Sequence, residues 1–193
     1  MARPREFDET EVLDRALHAF WARGYDATSV EDLVEATGLG RASLYGAFGD
    51  KEQLFRRVVA HYLERSRVEK ERVTHNLSAR EALEAFLLSR IEAATDRQGR
   101  SGCFLQIAAT SGTSPPLVHQ ALEATNREMS GWFLQHLREA QAEGKLPPDA
   151  DLAALTSFIG VFASGLTASA KAGLPFSTLS VAAHAALDLV FGR

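Results

Sequence analysis

Apolar residues recur at helical spacing along almost the whole chain, and this pattern predicts an all-α protein. No segment shows sustained alternation of apolar and polar positions, so no strand is predicted. The clearest helix start is Asp8, an N-cap residue that is followed three positions later by Glu11. We expect this first helix to end at Gly24 and to contribute the core of a small N-terminal domain. Its apolar positions are Leu13, Ala16, Leu17, Phe20 and Trp21.

The next region predicts two short helices that are joined by a glycine-bounded turn. Thr28 with Glu31 forms a predicted capping box, which starts the first of these helices, and Gly38 ends it. The second short helix is predicted over Arg41–Phe48, and Asp50 begins a third helix after it. This order is typical of a helix-turn-helix DNA-binding motif. An ordinary helical hairpin inside a bundle is the alternative that the spacing alone leaves open.

The helix begun at the end of this region continues as a connecting helix over residues 51–72, and five more helices are predicted beyond it. The prediction is thus about nine helices in total. We expect two domains, residues 1–50 and residues 51–193, the second entered through the connecting helix. The five later helices are a segment begun by Ser78, a short apolar segment Cys103–Thr110, a long helix from Pro115 to Gly144, a helix begun by Asp149 or Asp151 that ends near Ala172, and a last helix that is capped by Ser177 and ends near Phe191.

Composition places the chain among ordinary soluble globular proteins, with 46% hydrophobic and 24% charged residues in 193. No run approaches the roughly 18 consecutive apolar residues of a membrane span, and the N-terminus lacks the apolar core of a signal peptide. A cytoplasmic protein with no membrane partner is therefore expected. The net charge of −4 disfavours strong nonspecific binding to nucleic acid, so DNA binding would depend on a few well-placed contacts.

The sequence contains no pattern that indicates a metal site, a cofactor or a catalytic centre. The six histidines are scattered, and Cys103 is the one cysteine, so neither an internal disulfide nor a cysteine-based metal cluster is possible. Phosphate-binding loops, zinc-binding helix motifs and nucleophile elbows are also absent, and we expect no enzymatic activity. For Cys103 the favoured interpretation is a small packed side chain. A reactive thiol that senses oxidants or electrophiles is the alternative.

A dense set of spaced residues in the first 60 positions resembles the TetR/AcrR family of transcriptional regulators. One departure is Gly40, where many relatives carry a serine helix cap. The resemblance implies an N-terminal three-helix DNA-binding domain over residues 1–50 and a C-terminal helical bundle for ligand binding and dimerisation. The matching segments are Arg3–Asp8, Ala19–Tyr25, Thr28–Val30, Gly38–Tyr45, Phe48 and Lys51–Phe55.

The same resemblance implies a ligand-responsive regulator, most often a repressor. Such a protein binds a palindromic operator in double-stranded DNA as a homodimer, and a small-molecule effector releases it. The alternative is an all-α protein-interaction adaptor or sensor that has lost operator binding.

The predicted DNA contacts divide into contacts that position the protein and contacts that read bases. Tyr45 and Lys51 match family positions that contact phosphates. Arg41 and Ser43 are expected to point from the second short helix toward base edges. The remaining predicted contacts are Thr28 at a helix N-terminus and the basic residues Arg3 and Arg5.

The last two predicted helices combine small residues with an apolar surface on nearly every side, which indicates that they are covered on several sides. A central core helix is one interpretation. We favour a dimer interface, because the family pairs its last two helices with their symmetry mates, and because twofold pairing matches a palindromic operator. The predicted interface residues are Leu155, Ile159, Gly160, Phe162, Ala163, Leu166, Ala182 and Ala186.

Aromatic residues in the C-terminal part, with a few polar neighbours, suggest the lining of an effector pocket. Aromatic side chains at helical spacing are also what an ordinary core contains, so packing is the alternative for each of them. The predicted lining is Phe86, Phe104, Gln106, His119, Trp132, Phe133, His136, Phe158 and Phe162.

Overall fold

The computed structural model describes residues 7–95, 103–110 and 115–192. This part of the chain contains nine α-helices and no strand, which confirms the predicted all-α fold. Arg3 and Arg5, two of the predicted DNA contacts, lie outside the described residues. The helices are α1 (Glu9–Arg23), α2 (Val30–Thr37), α3 (Arg41–Phe48), α4 (Lys51–Thr74), α5 (Ala79–Thr95), α6 (Phe104–Thr110), α7 (Pro116–Ala142), α8 (Leu152–Lys171) and α9 (Phe176–Phe191).

The described residues form two compact units, which divide α4 between Ser66 and Arg67 and α7 between Ala121 and Leu122. The first unit contains α1 to α3, α4 as far as Ser66, and the described part of Phe104–Ala121. The second unit contains the other described residues from Arg67 onward. The predicted functional boundary at residues 50 and 51 remains a prediction, because it concerns roles and not packing.

The core of the first unit is aromatic. Phe55 is fully buried on α4, and its ring contacts Phe20 of α1 at a centroid distance of 4.9 Å and Phe104 of α6 at 6.0 Å. Leu33 of α2 and Leu44 of α3 are 1% exposed, and Phe48 of α3 is 5% exposed. These buried side chains anchor both short helices in the first unit.

The cap of α1 is the one that the sequence predicts. The Asp8 side chain accepts hydrogen bonds from the backbone N–H groups of Thr10 and Glu11, at 2.8 and 3.3 Å. The capping box predicted for α2 is wrong by one residue, because its N-cap is Ser29 and the box pairs Ser29 with Asp32. The hydrogen bonds that Asp32 accepts from Ser29 lower the pKa of this carboxyl group below its ordinary value.

The second unit is built around α5, which packs against α8 and α9. Its core includes Leu83, Leu87 and Ile91 of α5, each at most 1% exposed. The last helix begins at Phe176 after an N-cap at Pro175, whereas the sequence analysis expected Ser177 to be the cap. The proline fixes φ at −71° at the cap position, and the helix begins without a side-chain cap, two residues earlier than a cap at Ser177 would place it.

Helix α8 corrects one expectation about apolar runs. Its 20 residues, Leu152–Lys171, are long and apolar enough to meet the length and composition criteria for a membrane span. The helix contains no long run of consecutive apolar residues, because threonine and serine interrupt it at Thr156, Ser157, Ser164, Thr167 and Ser169. A helix with this composition needs apolar cover on more than one side.

Candidate nucleic-acid interface

Helix α3 has one face anchored in the first unit and another face open to solvent. Leu44 and Phe48 are buried, 1% and 5% exposed, and lie four residues apart on the inner face. Arg41 and Ser43 are exposed, and Tyr45 is half-buried between the two faces. Gly46 also faces open space, since a Cβ built there would meet nothing within 4 Å. The predicted base-reading residues Arg41 and Ser43 are therefore both accessible to solvent.

The guanidinium of Arg41 has two neighbours within the same unit. Its Nη1 donates to Glu31 Oε1 of α2 at 3.1 Å, and its Cζ lies 5.7 Å from the centre of the Tyr45 ring. Both members of the ion pair are solvent-exposed. Arg41 is also the first residue of α3. In helix-turn-helix proteins, the N-terminal residues of the recognition helix contact base edges.

Lys51 lies at the start of α4, and an aromatic platform supports it. Its Nζ is 4.5 Å from the centre of the Tyr25 ring, within the range of a cation–π interaction. Tyr25 contacts the buried rings of Phe55 and Phe20, at centroid distances of 4.8 and 6.0 Å. The sequence analysis did not assign this supporting role to Tyr25, because residues 26 positions apart carry no local signal of contact.

Burial raises the pKa of the Tyr25 phenol, and the nearby carboxylates of Glu52, Asp50 and Asp26 add to the increase. The phenol is therefore neutral at neutral pH, and the ring presents an uncharged face to Lys51.

Tyr25 gives a testable prediction about Lys51. Tyr25→Leu should weaken binding to all DNA sequences by a few fold, because an exposed cation–π contact contributes about 0.5–1 kcal/mol. Tyr25→Phe is the matched control and should retain wild-type affinity, since it keeps the aromatic ring. Titrations of both variants with operator and random-sequence DNA would check this, and equal losses for Leu and Phe would contradict it.

Thr28 is not available for the predicted phosphate contact through its side chain. Thr28 is fully buried, and its hydroxyl donates to the carbonyl oxygen of Gly24 at 2.6 Å. Ser29, the actual N-cap of α2, is the exposed residue at this helix terminus. The predicted side-chain contact of Thr28 with a phosphate is corrected, because its hydroxyl forms a hydrogen bond between the end of α1 and the segment before α2.

Four of the predicted effector residues lie together in the second unit. Phe86 contacts Trp132 and Phe133 at ring-centroid distances of 5.4 and 5.5 Å, and His136 contacts Trp132 at 4.3 Å. His136 Nδ1 is 2.9 Å from Glu139 Oε2, and its Nε2 is buried without a hydrogen-bond partner. The hydrogen bond with His136, together with one from Gln135, lowers the pKa of Glu139.

The other predicted effector residues lie elsewhere. Phe104 is buried in the first unit, where its ring contacts Trp21, Tyr62 and Phe55. It is therefore a residue of the aromatic core of that unit. Gln106 on α6 and the exposed His119 on α7 also belong to the first unit.

Phe158 and Phe162 of α8 stack on each other at 5.7 Å in the second unit, and Phe158 is 43% exposed. Two open clefts of about 610 and 590 Å³ also lie in this unit, and neither is lined by a predicted effector residue.

The predicted interface residues divide between inner and outer faces of α8 and α9. Ile159, Leu166 and Ala186 are buried within the chain itself, so a partner subunit could not contact them in this structure. Gly160 faces the same core, since a Cβ placed there would lie 4.0 Å from the Phe133 ring. The partly exposed members are Leu155, Phe162, Ala163 and Ala182.

The same two helices expose large apolar side chains that the sequence analysis missed. Val161 of α8 is 75% exposed, and Val181 and Leu189 of α9 are 68% and 82% exposed. Exposed apolar residues grouped on one pair of helices are typical of a protein–protein interface. Helical periodicity identified both helices but could not decide which apolar positions pack inward.

Comparison with known proteins identifies the class. Residues 12–58 match the family model described as bacterial regulatory proteins, tetR family, and residues 79–182 match a tetracyclin repressor-like C-terminal domain. Among characterised relatives, the HTH-type transcriptional repressor ComR of Escherichia coli (strain K12) is 32% identical over 191 residues. The match covers 97% of this chain and 90% of ComR. The uncharacterized HTH-type transcriptional regulator YezE of Bacillus subtilis (strain 168) is 30% identical over 174 residues, which cover 89% of this chain and 90% of YezE.

Solved structures show the same relationship. A cysteine mutant of the TetR family transcriptional regulator CifR, complexed with 26-base-pair double-strand operator DNA, superposes with a TM-score of 0.84. It is 36% identical, and the match covers 96% of this chain and 98% of CifR. The chain belongs to the tetR family of bacterial regulatory proteins. It is a DNA-binding transcriptional regulator, and regulators of this family are soluble proteins that are typically not enzymes.

Proposed function

We propose that this protein is a cytoplasmic, ligand-responsive repressor that binds a palindromic operator as a homodimer and is released by a small molecule. The exposed face of α3 carries the proposal, because Arg41 and Ser43 are presented on a helix that Leu44 and Phe48 anchor in the core. Residues 1–50 would bind DNA, and residues 51–193 would bind the effector and form the dimer. The similarity to the repressor ComR supports repression, and the similarity to CifR in its operator complex supports operator DNA as the partner.

The proposed contacts follow the exposure of each residue. Arg41 and Ser43 would read base edges in the major groove, while Lys51 and Tyr45 would contact phosphates. Neither a cofactor nor catalytic activity is part of the proposal. Among the described residues, no group of three or more His, Cys, Asp or Glu side chains is placed to hold a metal ion.

Dimerisation would use the exposed apolar residues of α8 and α9, with Val161 and Leu189 at the centre of the contact. A single helix-turn-helix unit contacts few base pairs, and two units related by a twofold axis would contact half-sites about one helical turn, ~34–36 Å, apart. The effector would bind in the second unit beside Phe86, Trp132, Phe133 and His136, where the unsatisfied Nε2 of His136 offers a polar contact.

A gel mobility-shift titration with DNA from upstream of the protein's own gene tests the proposal. Specific retardation that is resistant to competitor DNA, and that a small molecule reverses, would support it. A protein that folds and dimerises but shifts no fragment above the level of random DNA would favour the adaptor alternative.

Cys103 is expected to be dispensable for this function. Cys103→Ser should leave operator affinity and the effector response unchanged, because the residue is partly exposed at the start of α6 and a serine fills nearly the same volume. The measurement is the same mobility shift with and without effector. Loss of a response to oxidant or electrophile in this variant alone would make the thiol a sensor.

A further inference from the structure

The stretch from α2 to the start of α4 supplies few positive charges, and one of them is neutralised within the protein. Among the described residues from α2 to the start of α4, the basic side chains are Arg41 and Lys51. The acidic side chains in the same stretch are Glu31, Asp32, Glu35, Asp50 and Glu52. Because this stretch supplies only two cations, the availability of Arg41 to the DNA matters for binding.

Arg41 is held by Glu31 in the DNA-free protein. The Nη1 to Oε1 distance is 3.1 Å, and the two side chains retain 63% and 74% of their exposure, so both can move. The positions of the two residues explain why they pair. Arg41 is the first residue of α3, where the positive end of the helix dipole repels a cation, and Glu31 is in the first turn of α2, where the dipole stabilises an anion.

We propose that Glu31 restrains the affinity of the protein for DNA by acting as an internal competitor for Arg41. The inference rests on the proposed function, and it assigns a role to a residue outside the expected set of DNA contacts. In the free protein the pair carries no net charge, so Arg41 contributes little attraction to phosphates. Contact with DNA exchanges the Glu31 carboxylate for acceptors on the nucleic acid.

Glu31 is thus a positioning residue that acts through Arg41. A carboxylate beside the contact surface also reduces the number of phosphates that the protein effectively neutralises. Because that number sets the salt dependence of binding, neutralising Glu31 should change the salt dependence as well as the affinity. A purely structural role of Glu31 in α2 would leave the salt dependence unchanged.

The test is Glu31→Gln, which keeps the size and polarity of the side chain and removes its charge. We expect roughly three- to tenfold tighter binding of the dimer to both operator and random DNA, since exposed ion pairs are weak and each subunit breaks one. The slope of log affinity against log salt should steepen by about one unit for each half-site. Titrations at several salt concentrations provide both quantities.

Two controls isolate the mechanism. Glu35→Gln removes an equal charge from an exposed position one turn further along α2, outside the ion pair, and should have less than half of the effect. In an Arg41→Ala background, Glu31→Gln should lose at least half of its gain, because the cation that it releases is absent. Equal effects of the two glutamine variants, or a full gain without Arg41, would overturn the proposal.

The remaining outcomes are also decisive. Weaker operator binding by Glu31→Gln would mean that Glu31 holds Arg41 in its productive position, which contradicts the proposal. An unchanged affinity and salt slope would place Glu31 away from the DNA and contradict it too. If the wild-type protein binds its operator while these results are found, the proposed function stands and this inference alone fails.

Discussion

Replacing Val161 by arginine is expected to convert the protein to monomers and to lower operator affinity by about 100-fold or more, since the second half-site no longer adds avidity. Val161 is the most exposed large apolar residue of α8, at 75%. At a twofold interface the variant would bring two unpaired guanidinium groups into an apolar contact, which is strongly unfavourable. Sedimentation equilibrium would measure the mass, and a fluorescence titration would measure operator binding.

The control for this prediction is Val68→Arg. Val68 is also an exposed valine, 49% accessible, but it lies on α4 and not on the proposed interface helices. This variant should remain a dimer with wild-type affinity. Leu189→Arg on α9 should behave like Val161→Arg. A full-sized dimer for both the Val161 and the Leu189 variants would place the interface elsewhere.

The second large effect is expected at Arg41. If its guanidinium pairs with a guanine, Arg41→Ala should cost ~1–3 kcal/mol at one base pair of each half-site, and sequence preference at that base pair should relax. The effect is concentrated at one position because a bidentate contact to O6 and N7 distinguishes guanine from the other bases. Affinities for a panel of operators with single-base changes would measure it.

Lys51→Ala is the comparison for Arg41. It should weaken binding to every sequence alike and reduce the salt slope by about one unit for each half-site, because a phosphate contact carries no base information. If Arg41→Ala instead weakens binding to all operators equally, Arg41 contacts the backbone. The contacts to base edges would then come from Ser43, Gly46 and Ala47.

The helix-turn-helix region could be predicted from sequence because its signals are local. Asp8 caps α1 as expected, and Gly38 ends α2 with a positive φ of 72°, a conformation that glycine adopts without strain. The cap of α2 was misplaced because Thr28 and Ser29 are adjacent and both can cap a helix. Tertiary structure decides between them: the Thr28 hydroxyl is taken by the Gly24 carbonyl, which leaves Ser29 as the cap.

The candidate surfaces of the second unit could be predicted only in part. Composition indicated that α8 and α9 need cover on several sides, but both Ile159 and Val161 fit that description. The packing of α5 decides which apolar face is used inside the chain, so Ile159 is 2% exposed and Val161 is 75% exposed. The contact of Lys51 with Tyr25 and that of Arg41 with Glu31 also carry no signal in the sequence. Tyr25 lies in the turn before α2 and Lys51 on α4, while Glu31 and Arg41 lie on different helices.

Selection of binding sites from a pool of random-sequence DNA tests the central claim most directly, because it presupposes no operator. We expect the purified protein to enrich a palindrome whose half-sites are centred about one helical turn apart, or a multiple of that distance. Each half-site should contain a guanine that the Arg41→Ala protein no longer selects. Enrichment of no sequence, or of a single site without twofold symmetry, would contradict the account of this protein as a dimeric operator-binding repressor.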